Sequence, residues 1–367
     1  MKTWDVIIIG GGIVGVSLGL RLRRQGARVL IVDRSEPGRE ASYAAAGMIA
    51  YCDHHTPQIL LPLAAASAKL YPEFVHELQD ESGLRIDYRC DGTISFMSAE
   101  ERSPCGAARE LSPAEVKELE AGLEFSQPGT HAMYLPEAAV DPRQLITAAL
   151  KAAKHRGIEV AFGAPVTEVD VRNGAAAGVK TTKTNYAAPV VVNCAGAWAA
   201  EIGPVRVPTR PIKGQMLALA QPVSYDERGT PSAHQVLRHV VRLPAQVYMV
   251  PRSDGRIIVG STVEDVGFDK RVDTDTIQGL RQLATNLLPA LSEAKMLESW
   301  AGLRPGTPDN LPILGTAGLP GYFVATGHYR DGILLSPITA QVMAQVIGGA
   351  TPEFDLSPFA LARFGRA

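Results

Sequence analysis

The chain has 367 residues, of which 46% are hydrophobic, and its formal net charge is −2. This length allows a large core, and we expect two domains in one chain. The nearly neutral charge balance argues against nucleic acid or an anionic membrane as a partner. No apolar run is long enough to span a bilayer, so we expect no membrane segment.

The cysteines and histidines show no spacing typical of a metal site. The four cysteines are far apart and include no C-x-x-C pair: Cys52, Cys90, Cys105 and Cys194. This pattern is typical of a reduced, cytoplasmic protein rather than of a disulfide-stapled one. We therefore expect a cytoplasmic location and no metal.

The first informative motif is the sequence GGGIVG at residues 10–15, which directly follows the apolar run 6–9. Such a run predicts a buried parallel strand, and the glycines predict a turn into a helix. We expect Gly10 to form the turn, Gly12 to admit a pyrophosphate and Gly15 to allow close helix–strand packing. The helix N-terminus would face the phosphates with free N–H groups.

Asp33 ends a second apolar run, residues 28–32, about twenty residues downstream of the glycines. An acid at this distance is what recognition of a ribose hydroxyl requires. The two features together predict a dinucleotide site. A glycine-rich turn in an unrelated α/β domain is the alternative.

The remaining patterns predict elements along the whole chain. In order, we expect a helix at 57–80, strands at 86–98 around a turn at 91–92, a capping-box helix at 112–120, a helix at 141–157, strands at 158–162 and 166–171, a strand after the turn at 173–174, and an apolar strand at 190–194. Antiparallel strands are expected at 215–220, 246–251 and 256–261, then a helix at 274–288, a strand at 322–325 and a helix at 336–348.

These elements indicate a mixed α/β fold in which a sheet-rich domain interrupts a Rossmann-like nucleotide domain twice. We expect residues 1–85, 141–210 and 301–367 to form the nucleotide domain. Residues 86–140 and 211–300 would form an antiparallel substrate-binding domain.

Two further segments favour FAD over NAD. Residues 40–48, EASYAAAGM, contain a run of tiny side chains that lets backbone approach a flat flavin ring, although an alanine-rich helix start explains them equally well. Residues 327–333, GHYRDGI, precede the last predicted helix. The N-terminus of that helix would stabilise the negative charge of a reduced flavin.

Six segments of the chain resemble the D-amino-acid oxidase family of flavoproteins, and within it the glycine oxidases of the thiamine-biosynthesis type. They are residues 6–15, 44–48, 191–198, 248–252, 300–315 and 327–335, of which the last two are long and specific. The resemblance implies FAD as cofactor. Relatives of the sarcosine oxidase type attach flavin through a cysteine late in the chain, whereas the last cysteine here is Cys194, so we expect non-covalent FAD.

The motif and the resemblance together imply a set of cofactor contacts. These are Gly10, Gly12, Ile13, Val14 and Gly15 at the pyrophosphate; Asp33 and Arg34 at the ribose; Ala41, Ser42, Ala46, Gly47 and Met48 at the diphosphate, ribityl and flavin; Val166 at the adenine; Ala195, Gly196 and Trp198; and His328, Tyr329, Arg330, Asp331, Gly332, Ile333 and Leu334 around the ribityl and pyrimidine. Family members usually carry glutamate where Asp33 stands.

The resemblance also implies a substrate site. Arg304 matches the arginine that pairs with the amino-acid carboxylate, Tyr248 matches a tyrosine beside it, and Arg330 matches the arginine whose backbone carbonyl lies near the amine. Each residue has a structural alternative, because arginines brace loops through ion pairs and tyrosines are common in strands. The chain departs from the family at Gln246, where relatives can carry histidine, and at Val263 and Glu264, where they can carry methionine. These changes leave side-chain selectivity open.

The implied reaction is oxidation of glycine, or of sarcosine or small D-amino acids, by hydride transfer to flavin N5. Dioxygen would then give hydrogen peroxide, and the imine would hydrolyse to glyoxylate and ammonia or pass to thiazole synthase. The resemblance also implies a homo-oligomer, often a tetramer. Alternatives are a D-amino-acid oxidase or dehydrogenase of the same family, an FAD-binding scaffold, and an NAD-dependent dehydrogenase. We expect His54 and His55 to be solvated in a loop, without a role as base.

Overall fold

The computed structural model describes residues 3–98, 100–124, 129–222, 235–243 and 246–365. Over these ranges the α-helices are α1 Ile13–Arg24, α2 Ala41–Ala44, α3 Leu61–Ser82, α4 Pro113–Leu119, α5 Pro142–His155, α6 Thr274–Leu287 and α7 Gly332–Ile347. In this part of the chain no helix has the length and apolar character needed to cross a membrane.

Strands supply two large and two small sheets. In chain order they are β1 Val6–Ile9, β2 Val29–Asp33, β3 Met48–Ile49, β4 Tyr88–Arg89, β5 Thr93–Ser98, β6 Arg109–Leu111, β7 Thr130–Leu135, β8 Ala138–Val140, β9 Glu159–Phe162, β10 Val166–Arg172, β11 Ala175–Thr181, β12 Asn185–Ala187, β13 Val190–Asn193, β14 Arg210–Ala220, β15 Val240–Leu243, β16 Val247–Pro251, β17 Arg256–Gly260, β18 Met296–Gly306, β19 Ile313–Thr316 and β20 Tyr322–Thr326.

The first large sheet has the strand order β19-β20-β13-β1-β2-β9. Strand β1 lies near its centre and runs parallel to both β2 and β13. Ile7 and Ile8 point to opposite faces and both are fully buried, because the sheet is covered on both sides. The carboxyl end of β1 therefore lies where the strand connections diverge to either side, the position at which α/β sheets bind ligands.

The second large sheet has the order β18-β14-β17-β16-β15-β5-β7-β6. Its pairs are antiparallel except that of β15 with β5. One face packs against α6, where Leu217 and Val259 of the sheet share a core with Leu280 of the helix. Helix α2 and the tiny residues after it lie near β18 of this sheet, since the Trp300 indole bonds the Ala44 carbonyl.

The predicted α/β class is confirmed, and most predicted elements form within a few residues of the expected bounds. The expected capping box is present, since Ser112 Oγ accepts a hydrogen bond from Glu115 N and the Glu115 carboxylate accepts one from Ser112 N. The strands on either side of the turn at 91–92 also form but do not pair with each other. Strand β4 joins β8, whereas β5 joins β7 and β15, because both find longer-range partners.

Helix α7 begins at Gly332, four residues earlier than its pattern predicts, and it contains Pro337. A proline inside a helix cannot donate a hydrogen bond to the carbonyl four residues before it, here that of Ile333. The Tyr71 hydroxyl donates to this carbonyl over 2.5 Å, and Ser336 Oγ donates to it over 3.0 Å. A tertiary contact from α3 thus replaces the missing bond, which the local sequence does not reveal.

Candidate active site

A single cavity of about 550 Å³ brings together nearly all the predicted site residues. It starts at the carboxyl end of β1 and is lined from both large sheets. The predicted residues that line it are Gly10, Gly12, Ile13, Val14, Asp33, Arg34, Ala41, Ser42, Ala46, Gly47, Met48, Val166, Ala195, Gly196, Trp198, Tyr248, Arg304, His328, Tyr329, Arg330, Asp331, Gly332 and Ile333.

Two predicted cofactor residues, Gly15 and Leu334, do not line this cavity. A Cβ atom on Gly15 would lie 2.1 Å from the Gly10 carbonyl oxygen, so Gly15 permits the tight turn between β1 and α1. Leu334 is 1% exposed, and its carbonyl accepts a hydrogen bond from Ser67 Oγ over 2.6 Å. The leucine side chain therefore lies in the hydrophobic core around α7 rather than in the cavity.

Helices α1 and α7 both begin at the cavity, and neither has a side-chain hydrogen bond from its N-cap residue, Gly12 or Asp331. Free N–H groups at a helix N-terminus bind anions. At the start of α1, Ile13 N already donates to Ser42 Oγ over 2.9 Å. Two helix N-termini in one cavity fit a ligand with negative charge at two separate places, as a pyrophosphate and a reduced flavin would supply.

Asp33 braces the glycine turn itself. Its Oδ2 accepts a hydrogen bond from Gly11 N over 2.7 Å, and its Oδ1 accepts one from Ser35 N over 3.0 Å. Burial raises the pKa of this carboxyl group against the opposing effect of these bonds. Nearby, the Arg34 guanidinium lies 4.5 Å from the ring centroid of Trp198. The acid thus shapes the turn, a role that the motif alone did not suggest.

The tiny residues after α2 are held by polar side chains of the second sheet. Trp300 Nε1 donates to the Ala44 carbonyl over 3.0 Å, and the buried guanidinium of Arg252 donates to the Ala46 carbonyl. A Cβ atom on Gly302 would lie 2.4 Å from that of Ala44. Small side chains are therefore needed here for the backbone to approach β18, in addition to any need at the cavity.

Arg304 lies at the other end of the cavity. Its guanidinium donates to the Thr262 carbonyl over 3.0 Å and to Ser261 Oγ over 2.6 Å. Within the described residues no carboxylate lies at ion-pair distance from it. Burial, together with the positive charge of Arg330, lowers the pKa of Arg304. This cation therefore has capacity for an anionic ligand.

Two glycines that the sequence analysis did not single out make room for the predicted substrate residues. A Cβ atom on Gly214 would lie 2.4 Å from Arg304 Nη1, and one on Gly260 would lie 2.6 Å from the Tyr248 hydroxyl oxygen. Tyr248 lies opposite Gly260 on the neighbouring strand. A glycine inside a strand often marks such a close approach, and that signal could have found both positions.

The loop before α7 places three ionisable groups at the cavity. Burial lowers the pKa of His328 to about 4, and its Nε2 lies 3.0 Å from Thr339 Oγ1. Burial and the charge of Asp53 raise the pKa of Asp331 to about 7. The exposed Arg330 guanidinium lies 5.4 Å from the ring centroid of Tyr329.

A charged group at residues 53–55 also reaches the cavity, and within it Asp53 is a residue that no sequence motif indicated. Asp53 and His55 line it, and the expectation that both histidines are solvated is wrong for His54, whose side chain is 10% exposed. Arg242 donates to Asp53 over 2.8 Å and also pairs with the buried Glu137 over 2.9 Å. One ligand atom from each of residues 53–55 lies within 4.8 Å of the others, but the cation of Arg242 on the same carboxylate disfavours a divalent metal.

The three positions at which the chain departs from the family do not all lie at the cavity. Gln246 and Val263 line the cavity. Glu264 does not, because its carboxylate accepts a hydrogen bond from Gln215 Nε2 over 2.9 Å and lies 3.3 Å from Lys213 Nζ. Glu264 therefore lies in a polar contact with β14, and only the other two positions can contact a ligand in the cavity.

Comparison with known protein families decides the class. The family FAD dependent oxidoreductase, abbreviated DAO, matches residues 5–346. The chain belongs to this family. Its likeness to glycine oxidases and the geometry of the cavity agree with an FAD-dependent amino-acid oxidase, and the predicted cofactor FAD is confirmed.

Individual relatives extend over almost the whole chain. A glycine oxidase from Geobacillus kaustophilus is 34% identical over 98% of this chain and 97% of its own. The crystal structure of glycine oxidase from that species superimposes with a TM-score of 0.89 at 31% identity and covers 99% of both chains. The hydrogen cyanide synthase subunit HcnC of Pseudomonas aeruginosa is 30% identical over 99% of this chain and 97% of its own.

A bifunctional ThiO/ThiG protein from Trichormus variabilis is 35% identical over 99% of this chain. The match covers 55% of that relative, so this chain spans about half the length of the bifunctional protein. The similarity concerns one part of the relative, and the activity of the remainder cannot be transferred to this chain.

Proposed function

We propose that this protein is a glycine oxidase that converts glycine and dioxygen to glyoxylate, ammonia and hydrogen peroxide. The observation that carries the proposal is Arg304, a cavity cation whose described hydrogen-bond acceptors are all neutral. A planar guanidinium binds a carboxylate through two parallel N–H bonds and so fixes its orientation. Bound FAD supplies a hydride acceptor.

Tyr248 and Arg330 complete the proposed substrate site. Both line the cavity with Arg304, and we assign the Tyr248 hydroxyl to the substrate carboxylate and the Arg330 backbone carbonyl to its amine. Two anchored ends leave the α-carbon of a small amino acid with one fixed orientation. The contribution of these residues is then mainly alignment, which can supply a large part of a rate enhancement.

The cavity residues fit FAD. A Cβ atom on Gly10 would lie 2.4 Å from the Cys194 carbonyl oxygen, so only glycine fits at this turn. The turn leads directly into the N-terminus of α1. We assign the remaining cavity-lining residues named above to the cofactor, with Val166 at the adenine end. Cys194 is buried at the end of β13, and we propose that FAD is held without a covalent bond.

Further parts of the proposal concern partners and organisation. One relative is a bifunctional ThiO/ThiG protein, and we propose that the imine product can pass to a thiazole synthase. We also propose a homo-oligomer, which a molar mass measured by light scattering would test, and a cytoplasmic location. The division into an FAD domain (1–85, 141–210, 301–367) and a substrate domain (86–140, 211–300) stays a proposal; β18 crosses residue 301.

The test is an anaerobic visible spectrum of the purified flavoprotein before and after addition of glycine, followed by air. Bleaching by glycine, recovery in air and formation of peroxide are expected. Bleaching without recovery in air would indicate a dehydrogenase with another acceptor. Spectra that do not respond to glycine but respond to sarcosine or a D-amino acid would contradict glycine as the substrate. The variant R304A should retain flavin but require much more glycine for bleaching.

A further inference from the structure

The cavity contains an oriented histidine that has no role in the reaction proposed above. His55 lines the same cavity as Arg304 and Arg330, and its side chain is 45% exposed. The other histidine that lines the cavity, His328, is buried and lies 3.0 Å from Thr339 Oγ1. Among the described lining residues His55 is therefore the imidazole accessible to both substrate and solvent.

Asp53 sets the orientation of this imidazole. Its Oδ1 accepts a hydrogen bond from His55 N over 2.9 Å and lies 3.3 Å from His55 Nδ1. Its Oδ2 accepts one from Arg242 over 2.8 Å, which fixes the carboxylate in turn. A carboxylate beside Nδ1 favours the tautomer with the proton on that nitrogen, so Nε2 keeps its lone pair.

Several charges face the His55 ring. The hydrogen bond to Asp53 raises the pKa of His55, burial and the cation of Arg330 lower it, and the carboxylate of Glu101 raises it. The His54 ring lies against it, with 3.9 Å between the ring centroids. The net effect is that the pKa of His55 is raised above that of a free imidazole.

Oxidation of an amino acid gives a base at this place a function. An amino acid in neutral water carries an ammonium group, but loss of hydride from the α-carbon requires a nitrogen lone pair to form the C=N bond. The guanidinium groups of Arg304 and Arg330 both line the cavity, and their positive charges favour the neutral amine over the ammonium form of the substrate. The substrate ammonium group is therefore driven to lose a proton there.

We propose that His55, oriented by Asp53, accepts this proton when the substrate binds. This inference rests on the proposed oxidation of glycine. An N–H bond of the ammonium group breaks and an Nε2–H bond forms on His55, with no change in oxidation state. The exposed ring then releases the proton to solvent, while the neutral amine is ready for loss of hydride from the α-carbon.

The test measures the rate of anaerobic flavin reduction by glycine at low substrate concentration, from about pH 5.5 to about pH 9, around the imidazole range. In the wild-type holoenzyme the rate should rise with pH through the pKa of His55. In H55Q this rise should disappear, and the rate at neutral pH should fall by about tenfold or more. In D53N the rise should move to lower pH, since the carboxylate no longer favours the imidazolium form.

The matched control is H76Q. His76 also lies beside a carboxylate, with Nε2 3.4 Å from Asp80 Oδ2, but it is on the surface of α3 and does not line the cavity. Its pH profile should equal that of the wild type. NMR titration of the holoenzyme should show an imidazole signal with a raised pKa that is absent in H55Q and shifted in D53N.

An unchanged rate and profile in H55Q would overturn the inference, as would a profile that disappears in D331N but not in H55Q. Both results leave the glycine oxidase proposal intact, because wild-type flavin would still be reduced by glycine. If wild-type flavin responds only to another amino acid, the glycine proposal is wrong. The same comparison with that amino acid then decides the role of His55, since any such substrate loses the same proton.

Discussion

Replacement of Gly214 by alanine would test the proposed carboxylate site without removing any functional group. The new Cβ atom would lie 2.4 Å from Arg304 Nη1 and 2.5 Å from Nη2, whereas ordinary contact begins at 3.4 Å. The guanidinium would have to move by about 1 Å, and a displacement of this size at a reacting site can reduce the rate about 100-fold. We therefore expect kcat/KM for glycine to fall about 100-fold in G214A.

The assay is steady-state glycine oxidation together with the bound-flavin spectrum of each variant. Flavin content should not change, because Gly214 lies at the Arg304 end of the cavity rather than at the glycine turn. The control is G279A on α6, where no atom lies within 4 Å of the new Cβ and kinetics should equal the wild type. Normal glycine saturation in G214A would refute the placement of the substrate carboxylate at Arg304.

Three further changes test the structure at other places. In D33N, FAD affinity should fall about tenfold because a charged acceptor at the glycine turn is lost; an unchanged dissociation constant in a fluorescence titration of the apoprotein would contradict this. In R242M, the free energy of unfolding should fall by about 3–5 kcal/mol, because the carboxylates of Glu137 and Asp53 lose their cation; urea unfolding measures this, and a loss below about 1 kcal/mol would argue against it. As the pH falls from 6.5 to about 4, the free energy of unfolding should decrease by about 3 kcal/mol because of His328. Over this range the imidazole takes up a proton in the unfolded chain but stays neutral in the folded one. H328Q should lack this part of the acid sensitivity, and equal pH dependence in both proteins would exclude His328 as its source.

Much of the lining of the candidate cofactor cavity could be predicted, because many of its residues are close in sequence and shape the cavity through their backbone. Residues 10–15 form a turn at which Gly10 and Gly15 are required by contacts with neighbouring backbone, and the helix that follows presents its N–H groups whatever side chains it carries. Residues 327–333 likewise form the loop and first turn of α7. The side chain of Leu334, the next residue, is buried in the core, so its predicted contact with the cofactor would have to come from its backbone.

The sequence by itself determined the glycine turn after β1, because the local spacing of glycine and apolar residues is sufficient to specify it. It also determined the class of the fold and the family, because long motifs identify both. Tertiary structure decided which distant side chains share the cavity. Gly260 lies opposite Tyr248, and Gly214 lies against the Arg304 guanidinium from the strand next to β18. The contact of Asp53 with Arg242 likewise joins residues far apart in sequence. Such proximity depends on strand register and loop packing, which no local pattern contains.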